Sequence, residues 1–146
     1  MRTSSIVVVD ASAAVAALVP GPLQQTVREL LLDLAGHAAL VAPSGLFDAE
    51  VLNGLRKAWL RGALTSIAVG LEAFLAMPVQ RVEVSPLILR VSAEAVGAGR
   101  VSGQDAVYLA TALVLNASLL TLDTGLASAA SRVLGEGRVL SPKGEA

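Results

Sequence analysis

Short apolar runs and longer segments of helical period alternate along the whole chain. Three of the runs are rich in valine, leucine and alanine, which predicts strands buried on both faces of a sheet. Another run, VQRVEV at 79–84, alternates apolar and polar residues and predicts a half-exposed edge strand. The predicted strands are 6–9, 39–42, 79–84, 118–122 and 138–140. Strands that alternate with helices predict an α/β fold with a mainly parallel sheet covered on both faces.

Proline, glycine and small polar residues mark where the predicted helices begin and end. Ser12 is placed to cap the first helix, and Pro22 to be the first residue of the second. Gly62 marks the end of a long third helix, because glycine readily adopts the conformation that terminates helices. The predicted helices are 13–18, 22–34, 45–61, 66–76, 86 to about 97, 103–115 and 125–134.

The segment 102–123 combines several of these signals. Ser102 is a helix cap, and Asp105 lies in the first turn, where the helix dipole favours a negative charge. The helix is apolar on every face as far as Asn116, which predicts that it is buried within the domain. The strand that follows it ends directly at Asp123. We therefore expect Asp105 and Asp123 at one end of the fold, where open α/β sheets place their active sites.

The long helix 45–61 carries two acids, Asp48 and Glu50. A helical projection places Asp48 within the apolar face and Glu50 on its border. The apolar face predicted to pack on the core consists of Phe47, Val51, Leu55, Ala58 and Trp59. Periodicity therefore makes Asp48 the more unusual acid, although a charge near the helix start explains it, and an ordinary solvated position explains Glu50.

Composition limits what the chain can do. Its 146 residues fit one domain spanning 1–146, with a disordered tail at about 141–146. The chain is 54% hydrophobic and only 16% charged, an apolar excess that predicts self-association or a protein partner. The net charge of −1 excludes a broad basic surface, so nucleic acid would have to be held by a local patch or a metal ion. The lack of cysteine excludes disulfides, thiolate metal sites and a cysteine nucleophile.

Two apolar segments resemble membrane signals without satisfying them. Residues 1–20 begin with a basic residue, yet Asp10 interrupts the apolar stretch, which argues against a signal peptide. Residues 106–122 are uncharged, but they are shorter than the roughly 20 residues of a spanning helix, and Asn116 and Ser118 interrupt them. We therefore expect no membrane segment and a cytoplasmic protein.

Acids spread over the chain are expected to meet at one edge of a parallel sheet. They are Asp10, Glu50 or Asp48, Asp105 and Asp123. Each acid alone is more simply explained as a turn or cap residue, but the set together predicts a shared crevice. Carboxylates in one crevice repel each other unless a cation compensates them, and oxygen ligands favour Mg²⁺ or Mn²⁺. Such a site activates water for attack on a phosphodiester without a thiol or a histidine.

Other candidate groups carry less weight. Arg56, Lys57 and Arg61 are candidates to bind phosphate, although a solvated helix face also explains them. His37 is the only histidine and follows a helix stop, so we expect it in a loop or helix end rather than in a site. Trp59 is expected in the core rather than as a platform on which bases stack.

The order and spacing of these motifs resemble the four acidic motifs of PIN-domain ribonucleases. The matching stretches are Asp-Ala-Ser at 10–12, Pro43 leading into Glu50-Val51-x-Asn53-x-Leu55, Ser102-x-x-Asp105-Ala106-x-Tyr108-Leu109-Ala110, and Thr121-x-Asp123. The resemblance covers residues 5–140, and within that superfamily the chain is similar in size to VapC-type toxins of toxin–antitoxin pairs. It implies a three-layer α/β/α fold with a parallel sheet.

The resemblance also implies roles for individual residues. One or two Mg²⁺ or Mn²⁺ ions would be bound by Asp10, Glu50, Asp105 and Asp123, with Ser12 and Thr121 as supporting hydroxyls. Asp10 and Asp105 are expected to be the principal ligands, while Glu50 orients or activates the attacking water. Asp123 is expected to complete the metal shell, directly or through water. Glu50 is preferred to Asp48 because it precedes the Val-x-Asn-x-Leu pattern.

The expected function is therefore a metal-dependent endoribonuclease, the toxin of a toxin–antitoxin pair. The resemblance further implies a homodimer and a small antitoxin whose tail enters the active-site groove. This chain departs from the family pattern in its extra acid, Asp48, and in the lack of a basic residue at Thr124-Gly125. Two alternatives stay open, a PIN nuclease of RNA processing or DNA repair without a toxin role, and a non-catalytic PIN-like interaction module. A phosphate-accepting receiver domain fits less well, because the first strand lacks paired acids and no lysine follows the last one.

Overall fold

The computed structural model describes residues 5–98 and 101–142. Its strands are β1 (Ile6–Val9), β2 (Ala39–Pro43), β3 (Val79–Val82), β4 (Ser118–Leu120) and β5 (Val139–Leu140). Its α-helices are α1 (Ala11–Leu18), α2 (Gln24–Ala35), α3 (Leu46–Leu60), α4 (Ile67–Leu75), α5 (Pro86–Gly97), α6 (Gly103–Leu115) and α7 (Thr124–Leu134). A 3₁₀ helix at Glu136–Arg138 precedes β5.

The strands form one parallel sheet in the order β3-β2-β1-β4-β5. The central strand β1 pairs with β2 and β4, and its residues Val7, Val8 and Val9 are completely buried. Helices cover both faces of the sheet, so the molecule is a three-layer α/β/α structure and the predicted fold class is confirmed. β3 lies at an edge, as its alternating pattern predicted, although it is two residues shorter than expected.

The parallel arrangement places the carboxyl ends of all the strands at one edge of the sheet. Asp10 links β1 to α1 there, and Asp123 caps α7 shortly after β4. The first turn of α3 follows β2 after only two residues, so this helix also starts at the same edge. The chain thus brings acids from distant segments to one end of the molecule.

The ends of two helices differ from the sequence prediction. α1 begins at Ala11 with Asp10 in the cap position, so Ser12 lies inside the helix and its predicted role as the cap is wrong. α2 begins at Gln24, and Pro22 belongs to the preceding turn rather than to the helix. In both cases the preceding segment decides the start, since β1 leads directly into α1 and the turn that contains Pro22 comes before α2.

Two predictions of complete burial are also wrong. Trp59 is 48% exposed, whereas Phe47, Val51, Leu55 and Ala58 form the buried face as predicted. α6 is not buried on every face, since Leu113 is exposed, while the side towards β1, β2 and β4 is buried. Both outcomes show that an apolar side chain at a helix surface does not by itself define the core.

The predicted disordered tail lies mostly outside the described residues, since only Ser141 and Pro142 of residues 141–146 are described. Gly99, where the fifth helix was expected to lose definition, also lies outside them, and α5 itself ends at Gly97. Among residues 5–98 and 101–142, no helix has both the length and the apolar character required to cross a membrane.

Candidate active site

An open cleft of about 300 Å³ lies at the carboxyl edge of the sheet and contains all four acids of the predicted motifs. Asp10 enters it from the end of β1, Glu50 from α3, Asp105 from α6 and Asp123 from the start of α7. The other lining residues are Ala11, Ser12, Val15, Asn53, Gly54 and Lys57. The structure therefore brings together side chains that are up to 113 positions apart, as Asp10 and Asp123 are.

Asp10 is held at the base of the cleft by two hydroxyl groups. Ser12 Oγ donates to Asp10 Oδ2 over 2.6 Å, and Thr121 Oγ1 donates to the same oxygen over 2.7 Å. The hydroxyls are themselves oriented, because Ser12 Oγ accepts from the Leu122 amide and Thr121 Oγ1 accepts from the Asp123 amide, both at 3.0 Å. This network fixes the carboxylate between β1 and β4 and supports the predicted pairing of Ser12 and Thr121 with the acids.

Asp105 and Asp123 are positioned by the helices that they begin. The Ser102 hydroxyl accepts from the Asp105 amide over 3.2 Å, which places Asp105 in the first turn of α6 as predicted. Asp123 Oδ1 accepts from the Leu126 amide over 2.9 Å and caps α7. Asp123 thus has the cap function that its local sequence suggested, while it also faces the shared cleft.

Glu50 is half-buried, and its Oε1 atom has no hydrogen-bond partner among the described residues. The Tyr108 hydroxyl is also buried without a well-formed hydrogen bond, although it is close enough to Glu50 to affect its pKa. Buried polar atoms normally have partners, and here the Glu50 carboxylate and the Tyr108 hydroxyl lie close to each other, each shifting the pKa of the other. Glu50 is therefore not the ordinary solvated acid that its helical pattern suggested.

Two of the acids in the cleft, Asp105 and Glu50, have raised pKa values. The pKa of Asp105 rises to about 6, first because it is partly buried and then because of the charges on Asp123, Asp10 and Glu50. Burial also raises the pKa of Glu50, and the charges on Asp10 and Asp123 add to this effect, whereas the Tyr108 hydroxyl opposes it. Lys57 is the cationic side chain among the lining residues. The cleft therefore favours cations when its acids are ionised.

Asp48 lies away from this cleft and has a structural role. Arg81 Nε donates to Asp48 Oδ1 over 3.0 Å, and the Arg81 guanidinium lies about 5 Å from the ring centres of Phe47 and Phe74. Burial disfavours the charged form of Asp48, but the hydrogen bond and charge of Arg81 and the Gly45 amide outweigh it and lower its pKa. Asp48 thus joins the start of α3 to β3 and is separate from the acids of the cleft.

The three basic residues near the end of α3, two in the helix and Arg61 at its C-cap, point in two different directions. Asn53, Lys57 and Arg61 are spaced by four residues and follow the cleft side, where Lys57 lines the cleft itself. Arg61 lines a neighbouring recess that also contains Ser12 and Val15. Arg56 is rotated by about 100° from Lys57 and lies in the exposed row of Leu52 and Leu60. The structure thus separates Arg56 from the other two, which the sequence had grouped together.

Several residues in the cleft or packed beside it were not identified from the sequence. Tyr108 and Asn53 stand within the quoted motifs, but their periodicity gave them no distinct role. Gly54 allows α1 and α3 to approach closely, since a Cβ atom there would lie 2.5 Å from a methyl group of Val15. A glycine in the middle of a strong helical pattern is the signal that would have indicated this contact.

The cleft fits a divalent cation in the kind of donor it offers, since carboxylate oxygens are the ligands that Mg²⁺ and Mn²⁺ prefer. The raised pKa values of Asp105 and Glu50 are both features that a cation would relieve. Within 5–98 and 101–142, no three acidic or histidine side chains stand close enough together to enclose an ion. The arrangement therefore suits an ion that takes one or two protein carboxylates and completes its shell with water and substrate phosphate.

Comparison with known proteins agrees with this architecture. The fold matches VapBC2 from Rickettsia felis, which was solved bound to a DNA fragment from its promoter, with a TM-score of 0.69, 16% identity and coverage of 93% of this chain and 98% of that chain. It also matches PAE2754 from Pyrobaculum aerophilum, with a TM-score of 0.63, 21% identity and coverage of 96% and 86%. A search of curated protein sequences gives no match. The family model described as PIN domain matches residues 7–131, and the chain therefore belongs to the PIN domain family.

Proposed function

We propose that the protein is a metal-dependent endoribonuclease that cleaves phosphodiester bonds of RNA. PIN domains are generally nucleases, which supports the general class of activity. The observation that carries the proposal is the meeting of Asp10, Glu50, Asp105 and Asp123 in one cleft of a PIN domain. Phosphodiester hydrolysis requires a charged oxygen-rich site that can hold both water and phosphate, and this cleft has that composition.

Asp10 and Asp105 are the side chains that we assign to hold Mg²⁺ or Mn²⁺. Asp10 is fixed by Ser12 and Thr121, while Asp105 is partly buried among the other acids and gains most from a nearby cation. Asp123 completes the shell through water, since one of its oxygens is occupied by the Leu126 amide and no three acids of the described residues stand close enough to bind one ion directly. When bound, the ion would activate water and stabilise negative charge on the phosphate.

Glu50 is the residue that we assign to orient the attacking water and accept its proton. Its carboxylate lines the cleft together with Asp10, Asp105 and Asp123. Burial and the neighbouring acids raise its pKa, which makes it a stronger base than a solvated glutamate. Tyr108 lies beside this carboxylate and acts as a positioning residue rather than as a direct participant.

The central experiment compares the full chain with Asp10→Asn and Asp105→Asn on a mixed RNA pool and on DNA of the same sequence. We expect the unaltered chain to cleave RNA, and to do so only when Mg²⁺ or Mn²⁺ is present. Both variants should cleave at least about a hundredfold more slowly, because each lacks one charged ligand. Circular dichroism checks that the variants are folded. Calorimetry with Mn²⁺ provides a second measurement that does not depend on cleavage. Undiminished cleavage by the folded variants contradicts the assignment, and no Mn²⁺ binding at millimolar metal favours a non-catalytic interaction module.

We further propose that the protein is the toxin of a toxin–antitoxin pair and that it acts as a homodimer. The support is the fold-level similarity to VapBC2, together with the apolar excess and the exposed apolar side chains of this chain. Expression of the intact chain is then expected to arrest growth, and co-expression of the neighbouring gene to relieve the arrest by supplying the antitoxin. Normal growth together with RNA cleavage in vitro would instead support a nuclease of RNA processing or DNA repair.

A further inference from the structure

A recess of about 240 Å³ lies next to the acidic cleft and has no role in the function proposed above. The two spaces adjoin each other, because Ser12 and Val15 line both of them. The far wall of the recess is the turn Pro20-Gly21-Pro22. Proline fixes the backbone dihedral φ, so two prolines around one glycine make this wall rigid before any ligand binds.

The recess combines apolar walls with polar groups at its rim. Val15, Ala16, Val19 and Leu23 contribute apolar surface, whereas Gln24 and Arg61 supply an amide and a guanidinium. This composition resembles sites that hold a flat aromatic ligand by apolar contact and orient it with a few polar groups. A nucleobase with its phosphate has the corresponding chemistry, since the base is flat and the phosphate is anionic.

Lys57 on α3 lines the cleft, and Arg61, the residue directly after α3, lines the recess. They are one helical turn apart, so Arg61 lies about 6 Å further along the helix axis, which is roughly the step of one nucleotide in an extended strand. Neither side chain forms an ion pair with any residue that the structure describes. Two unpaired cations in line with an acidic cleft form a path for a phosphate backbone.

We propose that this recess is a nucleotide subsite, in which Arg61 binds a phosphate next to the scissile one and the apolar walls hold the attached base. The proposal rests on the nuclease function proposed above and extends it to the position of the substrate strand. The strand runs from the acids past Lys57 to the turn at 20–22. Base contacts in the recess then contribute to the choice of the RNA sequence that is cut.

The test uses the full chain and end-labelled RNA oligonucleotides that are cut at one site. We expect Arg61→Ala to lower kcat/KM about tenfold and Arg56→Ala, on the other face of the chain at this point, to lower it less than twofold.

A second experiment changes the substrate, with a single uncharged methylphosphonate linkage placed at successive positions around the cut. At one of these positions, the uncharged linkage should slow cleavage by the unaltered protein about tenfold. The same linkage should not slow cleavage by Arg61→Ala any further. An abasic nucleotide at the same position should weaken binding of the strand to the unaltered protein. This effect should be smaller in Ala16→Leu, because the larger side chain fills the recess.

Binding measurements separate this proposal from the nuclease proposal. Fluorescence anisotropy with Asp10→Asn, alone and combined with Arg61→Ala or Arg56→Ala, reports strand binding without cleavage. Equal affinities and equal cleavage rates for the Arg61 and Arg56 variants would overturn the subsite, even if RNA is cut. Absence of cleavage by the unaltered protein would overturn the proposal that it is a nuclease. A selective loss of RNA binding in the Arg61 variant would still support the proposed subsite.

Discussion

At the scale of single residues, the hydroxyl of Thr121 has two functions in one hydrogen-bond network. It donates to Asp10 Oδ2 and accepts from the Asp123 amide, so it links two of the four acids directly. Thr121 is completely buried and Asp10 nearly so. Removing this hydroxyl leaves the buried Asp10 carboxylate with one donor fewer and the Asp123 amide without its acceptor.

Thr121→Val is therefore expected to lower the free energy of unfolding by about 1–3 kcal/mol, although the shape of the side chain is nearly kept. Thr121→Ser is the matched control, because it retains the hydroxyl and loses only a methyl group. Urea denaturation measures the free energy of unfolding of both variants and of the unaltered protein. A valine variant as stable as the serine variant would show that the network contributes little.

Asp105 makes the metal-free protein sensitive to pH. Its pKa is about 6 in the folded chain against an ordinary 3.8, so the folded state binds this proton more tightly than the unfolded state. The stabilisation from this group is complete below the unfolded pKa and is lost as pH rises through about 6. After allowance for solvent screening of a partly exposed group, the loss amounts to about 1 kcal/mol.

We expect Asp105→Asn to remove this loss, so that its stability exceeds that of the unaltered protein above pH 6 and matches it near pH 4. Chemical denaturation in EDTA across this range is the measurement. Added Mn²⁺ should stabilise the unaltered protein and have less effect on the variant, because a cation offsets the same repulsion. Identical pH dependence of the two proteins would contradict this account of Asp105.

At the scale of secondary-structure elements, the contact of α1 with α3 sets the width of the cleft. α1 carries Ser12 and Val15, α3 carries Glu50 and Lys57, and the two helices approach at Gly54. A side chain at Gly54 would meet the branched Val15, which has few alternative rotamers. The helices would have to move apart, and the acids with them.

Gly54→Ala is therefore expected to destabilise the protein by about 1–2 kcal/mol, despite the gain in helix propensity, because overpacking outweighs it. Cleavage should fall as well, since Glu50 and Lys57 move away from Asp10. Gly97→Ala is the control, as a Cβ atom there meets nothing within 4 Å and is expected to be neutral or stabilising. Thermal unfolding and cleavage rates of both variants test the contact.

The elements also show what could be predicted from sequence. Strands β1, β2 and β4 were predicted because buried parallel strands are short and apolar on both faces, and α3 because its buried face is regular. The role of Asp48 could not be predicted, since Arg81 approaches it from a strand 33 residues away. The exposure of Trp59 was missed for the same reason, because periodicity defines a helix face but not what covers it.

At the scale of the whole molecule, large apolar side chains remain exposed on most helices. They are Leu32, Leu52, Trp59, Leu60, Val69, Leu75, Leu87, Leu89, Val96, Leu113 and Val133. Single exposed apolar residues are normal, but α3 presents Leu52, Trp59 and Leu60 together beside the row of Arg56. A second copy of the chain that covers α3 would explain this surface.

We therefore expect light scattering to give the mass of two chains at micromolar concentration. The double variant Leu52→Gln and Leu60→Gln should shift the mass towards one chain, because it removes apolar contact area. Val133→Gln on α7 is the control and should leave the mass unchanged. A mass of one chain for the unaltered protein would contradict the proposed homodimer.

The central position of β1 has a consequence for the protein during its synthesis. β1 is made first, yet its partner β4 follows more than a hundred residues later, and Thr121 reaches Asp10 across 111 positions. Contacts this distant form late, because the intervening chain must first be made and brought into place. A nascent chain still on the ribosome before β4 emerges therefore lacks both Thr121 and Asp123 and cannot assemble the cleft. The order of translation thus keeps the proposed activity latent until most of the chain has been made.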